Sequence, residues 1–115
     1  MSLGKQIAER RNKQRRVIET PSHWGEDDAP LFIYCTPITA GEINKIQRKH
    51  KNFLNEMTVD GMVDLIIMKA ESEGGNRLFT LEDKVYLMAE DAPVIADIAG
   101  KMFGEHDSIE EAEKN

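Results

Sequence analysis

Between Thr58 and Ala70 the chain carries apolar residues at Val59, Met62, Val63, Ile66, Ile67 and Ala70. Steps of three and four residues follow the 3.6-residue period of an α-helix and put all six on one face. Leu65 and Met68 widen that face, which predicts the central helix of a core. A stripe so broad needs apolar neighbours on several sides, and the rest of the chain has to supply them.

Downstream and upstream segments carry such faces. Thr39-Ala40-Gly41-Glu42 reads as a capping box, in which the Thr hydroxyl and the Glu carboxylate reciprocally accept backbone N–H groups. It opens a predicted helix with Ile43, Ile46, His50, Phe53, Leu54 and Met57 at helical spacing. Glu73-Gly74-Gly75-Asn76 breaks the pattern as a turn, and Leu78-Phe79 re-enters the core. Thr80 to Asp83 caps a further helix, predicted to point Leu81, Val85 and Met88 inward. Asp91 and Pro93 reset the chain direction. A last helix buries Val94, Ile95, Ile98, Ala99, Met102 and Phe103 and ends at Gly104.

The N-terminal third differs. Arg16–Thr20 and Leu31–Thr36 are rich in β-branched and aromatic residues and are bounded by prolines, so they read as two antiparallel strands across the loop from Pro21 to Pro30. A lone hairpin is marginal in water and must lie on the helices. Leu3 to Gln14 is polar, with only Leu3 and Ile7 on its apolar stripe, and is predicted to be a mobile helix unless a partner covers it. The expected fold is mainly α: a small bundle of four to five helices with a short N-terminal antiparallel β-hairpin. A single domain spans 1–115, divided into a mobile basic helix (1–15), the hairpin (16–36), a helical body (39–104) and an acidic tail (105–115).

Charge is segregated along the chain. Residues 1–20 hold six basic and two acidic side chains, a balance of +4, whereas the whole chain is at −6, leaving −10 for the rest. A basic head and an acidic tail suit head-to-tail contacts or a charged partner. The single cysteine, Cys35, excludes an internal disulfide. No apolar run approaches the ~20 residues of a membrane span or forms a signal-type core, which predicts a soluble cytosolic protein.

Chemistry is sparse. His23, His50 and His106 lack paired ligand spacing, and no metal or cofactor is expected; His50, on an apolar stripe, reads as a hydrogen-bonded core or rim histidine. Counting back from Gly74 or Gly75 puts Lys69 or Ala70 at the first position of a calcium loop, and neither can serve. Cys35 sits in an apolar run with no cation or helix N-terminus beside it in sequence to activate it. The glycines make no phosphate cradle. An enzyme with a small-molecule substrate is not expected. Trp24, in a polar loop, is either a lid over the hairpin's apolar face or an exposed anchor for a partner. The run Arg10-Arg11-Asn12-Lys13-Gln14-Arg15-Arg16 could neutralise phosphates, which leaves a small DNA-binding regulator as an alternative. Against it, the rest of the chain is acidic and no aromatic residue interleaves the run.

The order of these elements resembles the tail assembly chaperones of long noncontractile-tailed phages and prophages. The matching positions are Val17-Ile18-Glu19-Thr20-Pro21, Trp24-Gly25, Leu31-Phe32-Ile33-Tyr34, Ile38-Thr39-Ala40-Gly41-Glu42, Gly75-Asn76-Arg77-Leu78-Phe79-Thr80 and the acidic stretch from Ile109 to Asn115. The resemblance implies a self-assembling, non-enzymatic chaperone in the cytoplasm of a bacterial host, absent from the mature virion. It would bind the tape measure protein, keep it soluble and promote tail tube protein assembly around it, contacting neither nucleic acid nor membrane. On this reading the partner surface is expected around Trp24 and the exposed face of Ile43 to Met57. Its candidate residues are Trp24, Glu42, Lys45, Lys49 and Phe53, joined by Glu110, Glu111 and Glu113 in the tail.

Overall fold

The computed structural model describes residues 2–104. Five helices and one two-stranded sheet follow in the order α1 (Leu3–Asn12), β1 (Arg16–Glu19), β2 (Phe32–Cys35), α2 (Ala40–Lys49), α3 (Val59–Lys69), α4 (Lys84–Leu87) and α5 (Ala92–Phe103). Short 3₁₀ turns occupy Ser22–Trp24 and Leu81–Asp83. This is the small, mainly α fold with an N-terminal hairpin that the patterning predicts. None of these helices is long and apolar enough to cross a membrane.

α3 is the centre. It packs chiefly on α5, with α2 and α4 against its flanks, and β1 lies against α5. Val63, Leu65, Ile66 and Ile67 of α3, with Ala70 just past its end, are buried in one cluster with Ile95, Ile98, Ala99 and Met102 of α5 and Ile18, Ile33 and Cys35 of the hairpin. The strands pair antiparallel, Val17 with Tyr34 and Ile18 with Ile33, so alternate residues turn Ile18, Ile33 and Cys35 inward. Beyond β2 the sheet gains an isolated bridge: Tyr34 and Glu71 exchange both backbone hydrogen bonds at 2.8 Å. The turn after α3 is thus tied to the hairpin, which answers the problem of a lone two-stranded ribbon.

Capping chemistry sets the helix starts. Thr39 accepts from Glu42 N at 3.0 Å while the Glu42 carboxylate accepts from Thr39 N at 2.9 Å, completing the expected box. Thr58 caps α3 through Gly61 N, and Thr80 and Asp83 form a second reciprocal box before α4. At the far end, Gly104 takes a left-handed φ of 74°, a conformation that side-chain-bearing residues rarely adopt.

Two sequence expectations are corrected. The helix predicted from Ile43 to Met57 stops at Lys49, and Asn52 adopts a φ of 65° that breaks it. Phe53 therefore reaches the core from a turn. It is completely buried beneath α3, where a Cβ on Gly61 would come within 2.7 Å of its ring, while Leu54 is 53% exposed. The second correction concerns Leu81, Val85 and Met88. All three face outward, at 74%, 66% and 43% exposure, and Leu87 alone in α4 is buried.

Candidate functional site

Between α2, α3 and the Arg77–Leu81 segment lies an open groove of about 440 Å³. Its apolar lining comes from Ile46, Ile67, Met68 and Leu81, its basic groups from Lys45, Lys49 and Arg77, and its remaining lining from His50 and Asp64. Arg77 donates from Nη2 to the carbonyl of Ile67 at 3.0 Å, which anchors the guanidinium by α3 and satisfies a carbonyl of its last turn. Leu81 and Arg77 also border a second hollow of about 430 Å³ with Phe79, Thr80 and Glu82.

Beside the groove is a five-residue charge cluster. His50 Nε2 lies 2.6 Å from Asp64 Oδ2, Lys49 Nζ lies 3.1 Å from the same oxygen, and Lys84 Nζ lies 3.0 Å from Asp64 Oδ1 and 2.6 Å from Asp60 Oδ1. Burial pushes the Asp64 carboxyl up, but hydrogen bonds from His50, Lys84 and Lys49 outweigh it and hold its pKa below the usual value. The Lys84 ammonium is raised in turn, first by its bond to Asp60. His50, Asp60 and Asp64 bring ligand atoms within 4.8 Å of one another, a spacing that could hold a cation. Two ammonium groups already neutralise those carboxylates, so a dication would have to displace both. The cluster ties α2, α3 and α4 together.

The sequence-predicted residues fall into different roles. Glu42 is structural: besides its cap, its Oε1 and Oε2 accept from Lys69 Nζ at 3.0 and 3.1 Å, and Lys69, only 5% exposed, also donates to Thr36 Oγ1 at 2.9 Å. Burial works against the Glu42 charge, yet the Thr39 amide and the Lys69 ammonium win and lower its pKa. Trp24 packs against the core, its ring edge-on to Phe79 at 6.1 Å and its Nε1 donating to Glu90 Oε2 at 2.7 Å. His23 reaches the same oxygen at 2.6 Å, and the Glu90 carboxyl is held below its usual pKa by the Asp91 amide first, then by His23. Trp24 is thus partly buried beside Phe79 and Glu90 at the edge of the core. Lys45 and Lys49 do border the groove. Phe53, being buried, offers a partner no surface. Glu110, Glu111 and Glu113 lie outside the described residues.

Sequence reasoning missed Asp60, Asp64, Arg77 and Lys84. One signal was available, since Asp60 and Asp64 stand one turn apart on an otherwise apolar helix. Lys84 and Arg77 come from separate segments, and no spacing rule links them to α2. The basic run is largely engaged with the protein itself. Arg11 donates to the carbonyl of Pro37, Arg15 to those of Ser72 (2.7 Å) and Glu73 (2.8 Å), and Arg16 to that of Met102 (2.8 Å). Arg15 also stacks over Tyr34 at 4.8 Å. Cys35 is fully buried, and desolvation raises its thiol pKa.

The chain matches no protein-family model, no curated protein and no solved structure.

Proposed function

We propose that this chain is a non-enzymatic tail assembly chaperone of long noncontractile-tailed phages or prophages. It binds the tape measure protein, keeps it soluble in the bacterial cytoplasm, recruits tail tube protein and is left out of the finished virion. The observation that carries the reading is the outward apolar face of Leu81, Val85 and Met88, on a segment whose pattern is that of a buried helix, adjoining a basic-edged groove. Exposed apolar residues grouped beside a groove mark protein contact surfaces, and an amphipathic helix laid into such a groove is a recurring mode of recognition. The groove's acid–base groups support the same view, because His50 is bound to Asp64, and Asp64 in turn to Lys49 and Lys84. The order of sequence motifs supplies the named partner.

A long rod is coated by many copies making weak individual contacts, with net affinity from multivalency. The test is co-expression of the chain with the tape measure protein of the same phage or prophage. The soluble fraction of that protein should rise with the wild-type chain and fall back when Leu81 and Val85 are both changed to Ser. Equal solubility with and without the wild-type chain would remove the proposal. The DNA-regulator alternative gains nothing from the arrangement of Arg11, Arg15 and Arg16, whose guanidinium groups hold backbone carbonyls of the protein itself.

A further inference from the structure

We propose that the open edge of β1 pairs antiparallel with β1 of a second copy of this chain, joining the two hairpins into one sheet across a two-fold axis. The register of the hairpin exposes that edge. Thr20 N donates to the Leu31 carbonyl at 3.1 Å, so these two residues form a hydrogen-bonded pair, and Ile18 with Ile33 is the next such pair. In an antiparallel ladder they alternate with pairs whose backbone groups point away from each other. Val17 with Tyr34 and Glu19 with Phe32 are of that second kind. On the β2 side, the outward N–H and C=O of Tyr34 exchange 2.8 Å bonds with Glu71. On the β1 side, the corresponding groups of Val17 and Glu19 have no hydrogen-bond partner among the described residues. Both residues are exposed, Val17 at 56%. An unpaired edge of this kind is a template for another strand.

Charge selects a second copy as the occupant. Arg15, Val17 and Glu19 follow one another along the outer face of the strand. Val17 and Glu19 alternate with the buried Ile18, and Arg15 shares their side, its guanidinium 4.8 Å over the ring of Tyr34. A row that reads cation, apolar, anion is its own complement when reversed. With Val17 opposite the second copy's Val17, each Glu19 faces the other copy's Arg15, and cross-strand pairs of opposite charge are favourable. Both side chains have charge to spare. Glu19 is exposed and has no ion-pair partner among the described residues. Arg15 gives its hydrogen bonds to the carbonyls of Ser72 and Glu73, with the Glu71 carboxylate only at 3.8 Å. Pairing centred on Glu19 instead would oppose like charges and set Val17 against Pro21, which has no N–H to donate. Because one edge pairs with its own copy, the assembly closes at two chains.

So short a strand makes a weak dimer, and its formation has to follow protein concentration. The pairing does not depend on the chaperone reading, so the test uses the full-length chain alone. Amide hydrogen exchange is measured from about 10 µM to about 1 mM protein. Exchange at Val17 and Glu19 should slow by about fivefold over that range, while Ile18, whose N–H faces β2, changes little. Sedimentation velocity on the same samples should show monomer passing to dimer and nothing larger. Glu19→Arg sets a cation against Arg15 and should abolish the concentration dependence with an unchanged denaturation midpoint. Val17→Pro deletes an N–H that the hairpin does not use and should act in the same way. Fast exchange at Val17 and Glu19 at every concentration, as at an edge that is simply solvated, would overturn the proposal. Protection of the two amides that ignores concentration would also overturn it, by showing the edge covered within one chain. A dimer that survives Glu19→Arg would place the interface elsewhere and overturn it too.

Discussion

At the scale of single residues, Glu42 and Gly61 show how one side chain, or the lack of one, serves two elements. Glu42 closes the α2 cap and neutralises the buried Lys69. Glu42→Ala removes the counter-charge from an ammonium that is 5% exposed, which costs about 3 kcal/mol, well beyond the ~1 kcal/mol of a lost cap. Urea denaturation at neutral pH measures that loss. Because the folded Glu42 pKa lies below its ordinary 4.5, its contribution is present above pH 4.5 and disappears as acid protonates the folded state. The difference in stability between wild type and Glu42→Gln should accordingly narrow below that pH. Gly61 makes the opposite point. Alanine there gains about 1 kcal/mol of helix propensity, but its Cβ would lie 2.7 and 2.8 Å from Phe53 ring atoms in a filled core. Overpacking of this kind costs about 2 kcal/mol, so Gly61→Ala should lower the denaturation midpoint in spite of the better helix former.

At the scale of elements, what was legible in the sequence follows from how long each pattern persists. α3 and α5 repeat the helical period over three turns, and the predicted inward residues Val63, Ile66, Ile67, Ile95, Ile98 and Met102 are buried. The capping boxes and the proline-bounded strands are local chemistry and were readable for that reason. The end of α2 was not, because Ile46, His50 and Phe53 keep helical spacing across a turn, and Phe53 is buried whichever backbone carries it. The α4 face inverted because one α-turn, Lys84–Leu87, is too short for periodicity to fix its orientation. Packing on α3 chose Leu87 and left Leu81, Val85 and Met88 outside. The groove was illegible since its walls come from three separate segments. The inversion has a measurable consequence. Changing Leu81 and Val85 to Ser removes apolar surface that the fold does not bury, so unfolding free energy should stay within about 0.5 kcal/mol of wild type. A loss of several times that would show the face to be structural, and the loss of chaperone activity expected of the same variant would then have a trivial cause.

At the scale of the whole molecule, the basic head is a lacing of the fold. Arg11 of α1, Arg15 of the link after it and Arg16 of β1 reach Pro37, the turn after α3 and the C-terminus of α5, three points far apart in sequence. The Arg16 bond is the most consequential of these. It joins residues 86 apart, is partly buried, and places a cation at the negative end of the α5 dipole while satisfying a terminal carbonyl. A charged hydrogen bond of this type is worth about 2 kcal/mol, so Arg16→Ala should lower stability by that amount. Lys13→Ala, at an exposed residue whose side chain makes no hydrogen bond or ion pair among the described residues, should change it by less than about 0.5 kcal/mol. A head built to neutralise phosphates would behave otherwise: the two variants would have similar stability, and each would shift the salt dependence of DNA binding by about one counterion. Equilibrium denaturation and electrophoretic retardation of a short duplex, run on the same two variants, separate these outcomes. Unequal stability without retardation is the result expected of arginines whose partners are carbonyls of their own chain.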